Sequence, residues 1–177
     1  MKFAPPMAIA LLASSGLHAQ QLPEPAAAAV FTAAQAQSGQ ALYNTTCVKC
    51  HTDKLTGRSG NPDERPALST LPEDMQKMVR AYGGKTPPLI GTAFMSKWPT
   101  TRELSQRIKE GVKGFPPPGS DHQAYLSLTA FILQSSGARS GAQALDAFTS
   151  VDLRLLNLNQ TGTVEKVLEA RKSTGSN

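Results

Sequence analysis

Long apolar runs, basic runs and strand patterns are all missing from this chain of 177 residues. The apolar stretch Met7 to Leu17 is short and broken by Ser14, Ser15 and Gly16, so it does not form a lasting bilayer span. No basic run exceeds two residues, so the formal charge of +5, from 18 Lys and Arg against 13 Asp and Glu, does not indicate a nucleic-acid partner. No strand pair or hairpin signal is found, which argues against a sheet-based fold. Cysteines number two and aromatics make up 6% of the chain. What remains, 40% hydrophobic and 18% charged, is neither a multispanning membrane protein nor a chain disordered throughout. The length suits one domain with extensions.

The first residues read as a targeting segment. Lys2 supplies a charged start, Met7 to Leu17 an apolar stretch, and Leu17-His18-Ala19 a small-residue end. A signal peptide over residues 1–19 is expected, which makes the protein periplasmic or otherwise exported. Residues 20–31, with two prolines and an alanine run, are expected to be a flexible leader.

Four helices follow from periodicity and caps. Thr32-Ala33-Ala34-Gln35 is a capping box, which predicts a helix from Thr32 to about Thr45 that delivers Cys47. Residues 52–66 hold Gly57, Gly60, Pro62 and Pro66 and read as loop. Pro72 opens a second helix whose Leu71, Met75, Met78, Val79 and Tyr82 repeat on one face, and Gly83-Gly84 ends it. Thr100-Thr101-Arg102-Glu103 boxes a third helix, carrying Leu104, Ile108 and Val112. Phe115-Pro116-Pro117-Pro118-Gly119 excludes helix, because proline removes donors and fixes φ. Ser120-Asp121-His122-Gln123 boxes the last strong helix, with Leu128, Phe131 and Ile132 inward and Gly137 past its end. Beyond it, Leu153, Leu155 and Leu158 are weak apolar positions and Val164 to Arg171 a short helical candidate. The fold class is therefore all-α, about four helices around something.

That something is suggested by Cys47-Val48-Lys49-Cys50-His51. Cys-x-x-Cys-His is the attachment signature of c-type haem, in which both thiols bond the macrocycle and the adjacent imidazole ligates iron. Two other readings fit less well. A dithiol of thioredoxin type needs a βαβ context, and zinc needs two further ligands where only His122 is to hand.

With the flanking residues, the chain resembles a class I c-type cytochrome. The likeness runs from Phe31 to Ala138 through Thr32-Ala33-Ala34-Gln35-Ala36, Gly39 and Tyr43, then Pro88-Leu89-Ile90-Gly91, Phe94, Trp98 and Tyr125 to Leu133. Within that class it is similar to cytochromes that accept electrons from pyrroloquinoline-quinone-dependent dehydrogenases. The resemblance implies a cytochrome domain at 32–138 with an inserted helix, one covalent haem c, and a C-terminal extension at 139–177. It also implies that a proline of the Pro-x-Leu-x-Gly segment holds the imidazole N–H by its carbonyl. That role is assigned to Pro88, which reads equally well as a turn former. Gly39 and Tyr43 are expected to cross closely against Leu128 and Phe131.

The sixth iron ligand departs from the family pattern, which has a Met-Pro pair where this chain has Phe115-Pro116. Met75, Met78 and Met95 are the candidate donors, Lys113 and His122 weaker ones, and a distal face with no protein ligand is the other alternative. Lys49, Lys54, Arg58, Lys97, Lys109 and Lys113 against Asp53, Glu110 and Asp121 read as a solvated mixed-charge face. The resemblance thus implies an electron carrier, and no enzyme, between a dehydrogenase and a terminal oxidase or other cytochrome. An open distal site implies a gas sensor or peroxidase-like protein instead.

Overall fold

Thr32 begins the ordered helix by taking the Gln35 N–H on its hydroxyl at 3.1 Å, and α1 then runs Ala33–Leu42. The computed structural model describes Met1 and residues 29–111, Gly119, 121–156 and Leu158. The signal peptide and most of the leader, Val112, Lys113, Phe115-Pro116, Ser120 and the helix expected at 164–171 lie outside the described residues.

The predicted helix end near Thr45 is exceeded. α1 continues without a break through a π-helical turn, Tyr43–Cys47, into α2, Val48–His51. The wider turn re-aims the helix where the motif begins, a common use of π geometry at functional sites. Only half of the first capping box forms. The Gln35 amide turns inward to Leu145, donating to its carbonyl at 2.7 Å and accepting its N–H at 2.8 Å.

α3 spans Glu73–Ala81 after Pro72, and buries Leu71 and Val79 as expected. Tyr82 closes the helix, its N–H donating to the Val79 carbonyl at 3.1 Å, and though 74% exposed it lines one cavity with Met78 and Val79. A single turn, α4 at Thr92–Met95, leads to α5, Thr101–Gly111. Here the box is complete: Thr100 N–H donates to Glu103 Oε2 at 3.1 Å, and Glu103 N–H returns to Thr100 Oγ1 at 3.3 Å. α6 spans His122–Ser135 and is capped by Asp121, which takes the Ala124 N–H at 2.8 Å. The cap thus falls one residue later than the expected box.

Among the described residues there is no strand, only isolated antiparallel bridges at Arg58–Thr86 and Thr100–Asp152. The all-α class holds. The core is the crossing of α1 on α6, with Phe31, Ala36, Tyr43, Leu128, Phe131 and Ile132 buried, and Leu104 of α5 against it. None of the described helices is long and apolar enough to cross a membrane.

Residues 139–156 run back over α1 and α5. Gly141 N–H donates to the Phe31 carbonyl at 2.8 Å, Thr101 N–H to Val151 at 2.9 Å and Leu153 N–H to Pro99 at 3.0 Å. Leu145, Leu153 and Leu156 are buried beneath this strap, whereas Leu155 faces water. Replacing Gln35 by Ala strands both polar groups of the buried Leu145. It is expected to cost about 2 kcal/mol, read as a lower Tm and faster proteolysis between residues 139 and 156.

Candidate functional site

The motif sits on the last turn of the α1–α2 helix, where four carbonyls have no partner within the helix. The four successive carbonyls Lys49 to Thr52 find partners, three from beyond the helix and one from Tyr43 of its π-turn. Arg58 donates to the Lys49 oxygen through Nε at 3.1 Å and Nη2 at 2.8 Å. The Thr86 hydroxyl donates to Cys50 at 2.5 Å. Gly57 N–H donates to His51 at 3.1 Å and the Tyr43 hydroxyl to Thr52 at 2.5 Å. The turn is thereby held rigid by groups from both ends of the preceding and following segments.

Gly57 is needed for this close approach. Its φ is +71°, and a Cβ there would lie 2.1 Å from the Thr86 carbonyl oxygen. Arg58 and Thr86 then pair through their backbones, with N–H to carbonyl distances of 3.1 and 3.0 Å. This bridge closes the neck of the segment that carries α3.

His51 is held at its ring. Nδ1 lies 2.9 Å from the Pro87 carbonyl, which makes Nδ1 the protonated nitrogen and leaves Nε2 as the one free for a metal. The carbonyl is that of Pro87 and not of Pro88, a correction to the sequence reading. Thr86 is pinned by the bridge on one side, and Leu89 N–H by the Leu55 carbonyl at 2.8 Å on the other, so the peptide between them turns Pro87 to the imidazole. Read strictly, Pro87-Pro88-Leu89-Ile90-Gly91 is also where the Pro-x-Leu-x-Gly spacing begins.

The electrostatics keep these groups neutral. Burial pushes the imidazole of His51 below its ordinary range, and the Pro87 bond pulls it part of the way back. Burial, helped by Cys50, pushes the Cys47 thiol up to about 11. Cys50 is also raised by burial, with Arg58 and then Lys49 opposing. Tyr43 is raised far above the usual phenol range, burial first and then the neighbouring thiols and Asp53.

Cys47, Cys50 and His51 face a cavity of about 490 Å³, within the range of cofactor sites. Its walls are Tyr43, Val79, Leu89, Phe94, Ile108, Leu128 and Ile132, with Lys85 and Arg107 as cations. Beside it, Trp98 Nε1 is buried without a partner among the described residues. Trp98 sits edge-on to Phe94 at 6.1 Å, with the Arg107 guanidinium 6.0 Å from its ring. Two thiols, a free imidazole nitrogen, apolar walls and donors near the cations fit haem, a flat apolar macrocycle with two carboxylates.

The three candidate methionines separate. Met78 lines this cavity from α3. Met95 is buried in the core and faces a different cavity, with Trp98, Leu153 and Leu158. Met75 is half-buried on α3 and lines neither. His122 is exposed at the start of α6 and lines a third depression, with Arg102 and Asp146. Phe115 and Lys113 lie outside the described residues.

Sequence reasoning missed Arg58, Thr86, Gly57 and Pro87. Arg58, read as part of a solvated face, is 4% exposed. No motif distinguishes it, since its partners are the Lys49 and Pro66 carbonyls, nine and eight residues away, and the Glu64 carboxylate.

Comparison with protein families adds one match: the model described as Cytochrome C oxidase, cbb3-type, subunit III, over residues 34–132. Neither curated proteins nor solved structures give a match. With more than half of its 177 residues matched, around the C-x-x-C-H turn and its cavity, the chain belongs to this family and is a class I c-type cytochrome, a haem c protein of electron transfer.

Proposed function

We propose that this protein is an exported carrier that passes single electrons between a periplasmic dehydrogenase and a downstream acceptor, and holds one haem c. Cys47 and Cys50 attach the haem, His51 is the proximal iron ligand, and Pro87 fixes its tautomer. The observation that carries this reading is the His51 imidazole, tied through Nδ1 to Pro87 at 2.9 Å on a turn whose carbonyls are all capped. A rigid ligand with one bonding nitrogen suits a carrier, because little has to move when an electron is gained or lost.

The haem supplies the one-electron couple when bound. The chain's own residues do the rest. Val79, Leu89, Phe94, Ile108, Leu128 and Ile132 exclude water from the cavity, and exclusion of water tunes the potential. His51 donates its Nδ1 proton to Pro87, which raises the basicity of Nε2. His122 is exposed at the start of α6 and does not line this cavity. We assign no enzymatic activity.

The sequence around Lys2, Met7 to Leu17 and Ala19 supports a signal peptide at 1–19, and c-type cytochromes are typically exported. Residues 20–31 are then a leader, 32–138 the cytochrome domain and 139–177 an extension. Partners are redox proteins, with no nucleic acid. The likeness to cytochromes of pyrroloquinoline-quinone enzymes points to a quinoprotein dehydrogenase as donor. The family description, naming a cbb3-type oxidase subunit, points to a terminal oxidase or another cytochrome as acceptor.

For the distal position we assign Met78, on the ground that it alone of the three methionines shares the cavity with His51. Phe115, standing where the family places a ligating methionine, favours a second reading in which the iron is open and senses or reacts with small ligands. The reduced, haem-loaded protein is expected to give a low-spin absorption spectrum that carbon monoxide does not move. Met78→Leu is then expected to bind carbon monoxide at once. A parental spectrum that shifts on adding the gas replaces the carrier by the open-site reading.

A further inference from the structure

We infer that Arg58 is a positioning residue that, on the haem reading above, sets the reduction potential, with Glu64 opposing it. The guanidinium is 4% exposed and lies directly under the attachment turn. Its fork clasps the Lys49 carbonyl, and Nη2 also donates to the Pro66 carbonyl at 2.6 Å. Its backbone pairs with Thr86, whose hydroxyl holds the Cys50 carbonyl and whose next residue, Pro87, holds His51. Arg58 therefore meets two supports of the motif, the Lys49 carbonyl through its side chain and Thr86 through its backbone, and its guanidinium is a permanent cation.

The charge is only partly neutralised. Two of its partners are neutral carbonyls, and the one carboxylate, Glu64, stands 3.7 Å from Nη1. Glu64 is itself fastened by Ser59, whose N–H and hydroxyl donate to Oε1 at 2.5 and 2.8 Å. Although burial opposes it, these bonds and Arg58 hold the Glu64 carboxyl below its usual range, so it is an anion at neutral pH.

Losing an electron adds one positive charge to the haem. A buried cation beside the attachment turn repels that charge and favours the reduced form, and an anion does the reverse. Arg58 lies where water screens poorly, so its effect is larger than that of the exposed lysines, and the partly exposed Glu64 opposes it more weakly. Arg58 does not line the cavity; it acts through the turn and through its field.

The test is the midpoint potential of the haem-loaded protein, by spectroscopic titration, for the parent and three variants. Arg58→Gln is expected to favour the oxidised form by about tenfold, ~59 mV for one electron. Glu64→Gln is expected to move the potential the other way. Arg58→Lys, which keeps the charge and loses the fork, is expected to recover most of the shift. If either glutamine variant stays at the parental potential, or both move in one direction, the inference is overturned. Where Arg58→Gln yields no haem-loaded protein, Glu64→Gln decides alone, since its partly exposed carboxylate holds only the loop end. Absence of covalent haem c in the parent, seen in its spectrum before any titration, overturns the haem reading and this inference together.

Discussion

His51→Ala is expected to abolish the low-spin spectrum completely while leaving haem attached through Cys47 and Cys50. The imidazole is the one nitrogen on the cavity wall whose second ring atom is held, by Pro87 at 2.9 Å, so that Nε2 is presented in a single tautomer. Lys85 and Arg107 share the cavity, but arginine stays protonated and a lysine must first lose its proton to bind. The measurement is the absorption spectrum of the reduced variant. Added imidazole is expected to restore the low-spin bands, because alanine leaves a space of the same shape beneath Pro87. A low-spin spectrum retained without imidazole removes His51 from the proximal position and the assignment with it.

Gly39→Val is expected to produce the largest loss of stability, about 3 kcal/mol or more. A Cβ at Gly39 would lie 1.9 Å from the Ser127 carbonyl oxygen, 2.4 Å from its carbon and 2.9 Å from Phe131 Cβ. Two of these are helix backbone and cannot turn aside, so α1 must lift from α6. Lifting it separates Tyr43 from Phe131, whose rings meet at a tilt with centroids 5.2 Å apart, and it carries Cys47 away from the cavity. For a domain of this size the expected fall in Tm is about 10 °C, measured on haem-loaded protein. Ser38→Ala, on the exposed side of the same helix, is the control and should stay within ~0.5 kcal/mol. A Gly39→Val protein as stable as that control removes the close α1–α6 crossing as a source of stability.

Much of this molecule follows from local rules. The Thr32 cap, the full box at Thr100 and Glu103, and the apolar stripe of α6 each need only neighbours within one turn, and each was readable. The same holds for Cys47-Val48-Lys49-Cys50-His51, whose spacing is meaningful without any contact beyond it. Where a local rule competed with a distant partner, the distant partner won. Gln35 abandoned its own helix for Leu145, 110 residues on, because a buried peptide group left unpaired costs more than an exposed helix end. Tyr82 fits the spacing of a buried face and lines the cavity with Met78 and Val79, but α3 stops at Ala81 and the residue is left largely exposed.

Composition and spacing by themselves determined an all-α chain with a haem-attachment motif and excluded a sheet fold. Only the tertiary structure decided that Pro87 holds His51, that Arg58 is buried beneath the motif, and that Met78, not Met75 or Met95, shares the cavity. The physical reason is common to all three. Each depends on how the segment from Gly57 to Leu89 closes at the Arg58–Thr86 bridge, and that closure is set by backbone carbonyls and N–H groups, which all residues but proline carry alike and no sequence pattern marks.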